Sequence, residues 1–251
     1  MARILLPEHR RALAKLQPGL TRRGLAGGLS LGALTLLTGC DLSDDDSAID
    51  RALWAMLRFN DRIQAAIFSP TRLARIYTRA DITKPFRFNA FYPIERVPQI
   101  DLAGWRLELA GLIAQKKPWS LPDVMALPQE SQITRHICVE GWSQIGEWRG
   151  VPLGDFLRRV GADLTARYVG FTCGDEYYSS IDMASALHPQ TILALEFEQT
   201  ALSPIWGAPL RLRIPTKLGF KNPKFITAIT VTNENPGGYW EDLGYNWFSG
   251  S

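Results

Sequence analysis

Short apolar segments of strand length, closed off by Pro or Gly, recur from Trp105 to Thr232 and limit most tightly what this chain can form. Residues 105–112 alternate apolar and polar side chains and run into Gly111, the period-two pattern of a half-buried strand. Residues 131–139, 167–171, 191–198, 210–214 and 224–232 read as further strands, and 175–181 as an extended segment. Helical readings are brief: 120–127, with Pro122 at an early position, 152–160, and a turn over 183–187. Strands and short helices without βαβ alternation predict an α+β domain with mixed sheets. Sixteen prolines and eight tryptophans in 251 residues agree with a loop-rich chain. With 46% hydrophobic and 21% charged residues, a sizeable core can be buried. The net charge of +3 owes much to the first 23 residues, and no basic stripe marks a nucleic-acid partner.

Three regions are expected. Residues 1–40 read as a targeting segment: Arg22-Arg23 precede an uncharged run, 24–37, too short and Gly-rich for a spanning helix. The twin arginines resemble a twin-arginine export signal, and Leu37-Thr38-Gly39-Cys40 resembles a lipobox that would make Cys40 a lipidated first residue. Asp41 behind it resembles an inner-membrane retention signal. Residues 41–80 form an acidic linker and an amphipathic helix over 48–68, with Ser47 as N-cap, Ile49, Leu53, Met56, Ile63 and Ile67 at helical spacing, and Ser69-Pro70 as the stop. Its mixed charge favours a helix laid on the main domain over one touching a membrane. Residues 81–251 hold the main domain, opening on a proline-punctuated loop with Phe86, Phe88, Phe91 and Tyr92.

Special chemistry concentrates in residues 135–153, RHICVEGWSQIGEWRGVPL. Cys138 is a soft ligand or nucleophile only as a thiolate, and Arg135, His136 and Arg149 are the candidate cations beside it. Taken alone it reads as a small buried hydrophobe. Cys40, Cys138 and Cys173 are too few for a disulfide framework or a zinc site, and Cys138 with Cys173 is the one pairing to consider. Residues 207–224 carry Arg211, Arg213, Lys217, Lys221 and Lys224 among Gly and Pro, either a solvated basic strand and turn or a clamp for a phosphate. A Cys-His protease is disfavoured, since His136 sits only two residues from Cys138. His188 is the other candidate base, with capping or packing as its plainer role.

With those residues in view, the chain resembles the molybdopterin-binding domain of the sulfite oxidase family, most closely its methionine sulfoxide reductase subgroup. Asn89-Ala90-Phe91-Tyr92 is similar to the subgroup's cofactor loop, and Cys138-Val139-Glu140-Gly141-Trp142-Ser143 to its Cys-Val-Glu-Ala-Trp-Ser. Trp148 to Leu153, His188-Pro189, Gly207 to Arg211 and Gly219 to Lys224 match in order. The resemblance implies that Cys138 ligates molybdenum, and that Asn89, Tyr92, Arg211, Asn222 and Lys224 hold the pyranopterin and its phosphate. His136, Arg135 and His188 become candidates for substrate contact. It further implies a periplasmic, monomeric catalytic subunit that exchanges electrons with a membrane haem b subunit, a geometry that a lipid anchor at Cys40 would suit. Its reaction would be oxygen-atom transfer to or from a small-molecule or protein-bound substrate, in the sulfoxide-reductase direction. A sulfite dehydrogenase, or a non-enzymatic lipoprotein keeping the fold, are the alternatives. The chain departs from the subgroup at two contacts: a threonine there falls at or beside Cys173, and an asparagine at Trp206. The chain carries no haem motif, and no immunoglobulin-like dimerisation domain follows Phe248, so electrons are expected to pass through another protein.

Overall fold

The computed structural model describes residues 48–251. The expected export signal, Cys40 and the Ser47 cap lie outside the described residues. Two compact units divide the chain, residues 1–56 and 57–251; the described part of the first is the opening of helix α1, Ala48–Ile67.

Helix α1 stops ahead of Ser69-Pro70 as expected, because the residue before a proline is disfavoured in the helical region. Its apolar stripe does not go where the periodicity suggested. In the larger unit Phe59, Ile63 and Ile67 remain 63%, 46% and 77% exposed. The face turned inward carries Asp61, which accepts the Phe248 backbone N–H at 2.6 Å, and Gln64, which accepts that of Gly250 at 2.9 Å. Backbone donors in the C-terminal segment need acceptors, and polar side chains of the helix supply them.

In chain order the strands are β1 (Arg106–Gly111), β2 (Trp119–Ser120), β3 (Glu130–Ile137), β4 (Ser143–Pro152), β5 (Tyr168–Cys173), β6 (Tyr178–Asp182), β7 (Ile192–Phe197), β8 (Thr200–Ala201), β9 (Arg211–Arg213) and β10 (Ile226–Thr232). Short helices α2 (Leu121–Met125), α3 (Leu153–Arg159) and α4 (Met183–Ala186) lie between them. One sheet has the order β2-β1-β10-β5-β6, with β10 parallel to β1 and antiparallel to β5. The other has the order β3-β4-β7-β8, with β9 also paired to β7, and is antiparallel throughout. The fold is therefore α+β with mixed sheets.

A single buried cluster joins Leu107, Val169 and Ile229 of the first sheet to Val151, Leu193 and Leu212 of the second, with Phe156 and Leu157 of α3 between them in sequence. Each such side chain contributes about 1.5–3 kcal/mol on burial. Helix α2 starts where Ser120 and Asp123 cap each other reciprocally.

Two sequence expectations change. No strand is predicted between Val139 and the helix expected over 152–160, yet β4 is the longest strand described, paired with β3 from Gly150 opposite Glu130 to Ser143 opposite Ile137. Both of its faces are largely covered, so apolar and polar residues do not alternate along it. Cys138 and Cys173 do not pair: both are free thiols.

Candidate active site

Strands β3 and β4 are joined by a tight loop, residues 138–142. The Cys138 N–H donates to Trp142 O at 2.8 Å, and the Gly141 N–H to Cys138 O at 3.1 Å. Gly141 takes φ +89°, a conformation glycine adopts without a Cβ clash. Cys138 is thus mounted on a rigid hairpin, half-buried. Its Sγ lies 3.9 Å from Glu140 Oε2, which also accepts the Trp142 indole N–H at 2.7 Å. Burial pushes the thiol up, and the Glu140 charge adds to this; the backbone N–H groups of Glu140 and Val139, and Arg87, pull the other way.

Of the three cations expected around this thiol, none takes that place. Arg135 is exposed over the Tyr77 ring at 5.5 Å, and Arg149 pairs with Glu196 at 2.7 Å; strand alternation turns both away. His136 is buried, and burial followed by the charges of Arg213, Arg211 and Lys224 holds it well below the usual imidazole range, hence neutral. The cation nearest in effect is Arg87, whose guanidinium lies 4.7 Å over the Trp142 ring.

Cys138 opens into a cleft of about 340 Å³ that Asn89, Tyr92, Arg211, Asn222 and Lys224 also line. All five residues expected to hold a cofactor thus converge on the expected ligand, from segments far apart in sequence. Lys224 donates to Asn89 O at 2.7 Å and Ile205 O at 3.1 Å. Asn89 donates from Nδ2 to His136 Nε2 at 3.2 Å, and Tyr92 donates to Asp175 at 2.9 Å. The Arg87 backbone is held from both sides by Gln144 of β4, at 2.6 and 2.9 Å. Gly219 approaches His136 so closely that a Cβ there would sit 2.7 Å from Nε2.

Arg211 and Arg213 are two apart in β9 and share a face. Both are fully buried, and burial pushes each guanidinium down to about 9. Arg213, named in the sequence as part of the same candidate basic clamp, does not line the cleft but stands behind it; it donates to Asn222 Oδ1 at 3.0 Å, Thr134 Oγ1 at 3.0 Å and Arg135 O at 2.6 Å. Glu140, Trp142, Asp175 and Arg87 line the cleft in addition to the expected residues; two lay inside the cysteine motif, while Asp175 and Arg87 carried no pattern.

His188 lies elsewhere. It is buried, with Nε2 3.0 Å from Arg72 O, Nδ1 accepting the Gln190 N–H at 3.2 Å, and the Phe68 ring at 6.1 Å. That is a packing role, and the cleft lining excludes both it and Arg135.

Among the described residues no carboxylate forms an ion pair with Arg211, Arg213 or Lys224, and the Nε of both arginines has no hydrogen-bond partner. Burying cations without a counter-charge is costly, so the cleft suits an anionic ligand. A thiol and buried cations lining one cleft fit a phosphorylated metal-dithiolene group. Among the described residues no cluster of three or more His, Cys, Asp and Glu could hold a metal by itself.

Fold and cleft together define an α+β domain with a cation-rich cleft that a single cysteine also lines. Residues 94–240 match the oxidoreductase molybdopterin binding domain, and the chain belongs to that family. It is a molybdopterin-dependent oxidoreductase. It is 56% identical to a protein of Azospira oryzae provisionally named protein-methionine-sulfoxide reductase subunit YedZ1, over 92% of this chain and 87% of that one. It is 34% identical to the protein-methionine-sulfoxide reductase catalytic subunit MsrP of Campylobacter jejuni, over 55% of this chain and 52% of that one. To MsrP of Xanthomonas campestris it is 33% identical, over 71% and 63%. The crystal structure of the sulfane dehydrogenase SoxCD from Paracoccus pantotrophus aligns over 55% of this chain and 40% of that one, with TM-score 0.52 and 18% identity, a likeness of fold alone.

Proposed function

We propose that the cleft is the active site of an exported molybdopterin enzyme that reduces methionine sulfoxide, free or within proteins. The observation that carries this reading is the convergence of a half-buried thiol, Cys138, with the buried cations Arg211 and Lys224, which form no ion pair with a carboxylate among the described residues. In it, Cys138 Sγ is the protein's ligand to the metal. Arg211 and Lys224 face the anionic part of the pyranopterin, while Asn89, Tyr92 and Asn222 shape the wall and supply the remaining donors. When bound, the cofactor supplies oxygen-atom transfer with a two-electron change at its metal. His136, neutral and accepting from Asn89, positions the loop and takes no part in proton transfer. Arg87, Glu140 and Trp142 are the residues a substrate meets at the mouth. Arg135 and His188 are given packing roles.

The similarity to sulfoxide reductase subunits supports the direction of reaction, and their naming as subunits supports a separate electron-carrying partner, which we take to be a membrane haem b protein. Arg22-Arg23 and Cys40 support export to the periplasm and a lipid tether at the inner membrane.

Protein matured in a molybdenum-replete host is expected to contain molybdenum and extractable pterin near one per chain. With a reduced artificial electron donor it should turn over methionine sulfoxide much faster than it oxidises sulfite with an acceptor. Absence of the metal, or the opposite preference, refutes the reading.

A further inference from the structure

Helix α1 and the segment after it carry a surface that the active site does not use. At about 100° per residue, Leu57, Asp61, Gln64 and Phe68 fall on one face, and this face meets the C-terminal segment. Phe59, Ile63 and Ile67 form a second row, all exposed, and Arg58 and Arg62, also exposed, lie along one flank of it. Past the helix, Leu73 and Ile76 are exposed as well, interleaved with exposed Arg72 and Arg75.

A helix laid on a domain normally turns its apolar face inward; here the inward face is tied down through Asp61 and Gln64, and the apolar row is left outside it. The charge around it is one-sided. From Leu57 to Arg79 the basic residues are Arg58, Arg62, Arg72, Arg75 and Arg79, and the sole acid is Asp61, which is occupied by Phe248. Among the described residues only Arg79 of these forms an ion pair, with Glu147. A second copy of the chain would set these arginines against each other. An apolar row flanked by arginines matches the polarity of a negatively charged membrane interface.

We propose that this face of α1 lies on an anionic lipid bilayer, with Phe59, Ile63 and Ile67 entering the interface and Arg58 and Arg62 meeting lipid phosphates. The contact is independent of the Cys138 cleft and of any acyl group at Cys40. It would keep the catalytic unit close to the membrane after the anchor itself is lost.

The full chain bearing Cys40→Ser, so that no acyl group is attached, is mixed with vesicles of zwitterionic lipid and with vesicles containing anionic lipid, then pelleted. Binding is expected to the anionic vesicles, weakened about tenfold by Phe59→Ser/Ile63→Ser/Ile67→Ser and severalfold by Arg58→Glu/Arg62→Glu. An environment-sensitive dye at Ile63→Cys should shift to the blue on binding, and the same dye at Ala65→Cys, past the arginines and turned well away from the apolar row, should not; the signal of the chain without the added cysteine is subtracted. Three results overturn the proposal. Undiminished binding of the triple variant would assign the affinity to residues 1–47. An unshifted dye would keep the row out of the bilayer. Self-association abolished by the triple variant, without vesicle binding, would give the face to a second copy. Turnover with an artificial electron donor reports on the active site separately, so failure here leaves the catalytic reading untouched.

Discussion

The Nη1 of Arg213 donates to Asn222 Oδ1 at 3.0 Å, and the same oxygen takes the Ile214 backbone N–H at 2.9 Å. Asn222 Nδ2 in turn donates to Leu218 O at 3.1 Å. Both lone pairs of the amide oxygen are thus occupied, and one N–H remains for a ligand. Arg213 also ties β9 to β3 through Thr134 and Arg135, just before the loop that carries Cys138. A cation behind the site therefore fixes both the cysteine hairpin and the Asn222 turn.

Arg213→Met should accordingly act on structure and cofactor together. It strips three acceptors of a buried donor, a loss of about 3 kcal/mol. Denaturant melts should show it, and molybdenum content should fall, while Arg213→Lys recovers part of both. Unchanged metal content in Arg213→Met would remove it from the site.

Cys138→Ala should keep the thermal transition within a few degrees, because the thiol is only half-buried at a loop. Sulfoxide reduction should fall more than about a hundredfold, beyond the loss typical of residues one step removed from a metal. An active variant would exclude Cys138 as ligand.

Lys217 gives a pH signature far from the cleft. Its Nζ lies 3.2 Å from Asp182 and over the Phe248 ring, and burial pushes it down to about 8, against the pull of Asp182. Unfolded, the lysine holds its proton up to about 10.5. Between those values the unfolded state binds more protons, so stability rises with pH. Relative to Lys217→Met, the wild type should gain up to about 2 kcal/mol between roughly pH 7.5 and 9.5. A flat difference in urea melts would contradict this.

Lys221 and Glu241 form a buried ion pair, with Lys221 also donating to Ser180 O at 2.8 Å. Glu241→Gln leaves an uncompensated buried ammonium and should cost about 3–5 kcal/mol. Lys221→Met/Glu241→Leu should recover most of it, since an apolar pair removes both desolvation costs. If the double variant is as unstable as the single, the pair contributes more than charge compensation.

The order of strands and short helices could be read from local pattern, because turns, caps and period-two alternation are properties of neighbouring residues. Ser120 with Asp123 shows this, as do the β1 alternation and the Pro70 stop. That Cys138, Asn89, Tyr92, Arg211, Asn222 and Lys224 share one cleft could be anticipated through motifs whose order matched a known family. What the sequence could not assign was direction. Arg135 and Arg149 flank the cysteine in sequence yet point away, because alternate strand residues occupy opposite faces; Asp175 reaches the cleft, and Arg213 the wall behind it, only because the β5–β6 turn and β9 are folded there. His188 belongs to a matching motif, but pairing with Arg72 and Gln190 makes it a packing residue. The inward face of α1 was likewise decided by the unpaired backbone donors of Phe248 and Gly250, which no periodicity in the helix records. Local chemistry fixed which residues could act, and long-range packing fixed which of them face the cleft, because burial and hydrogen-bond satisfaction depend on partners distant in sequence.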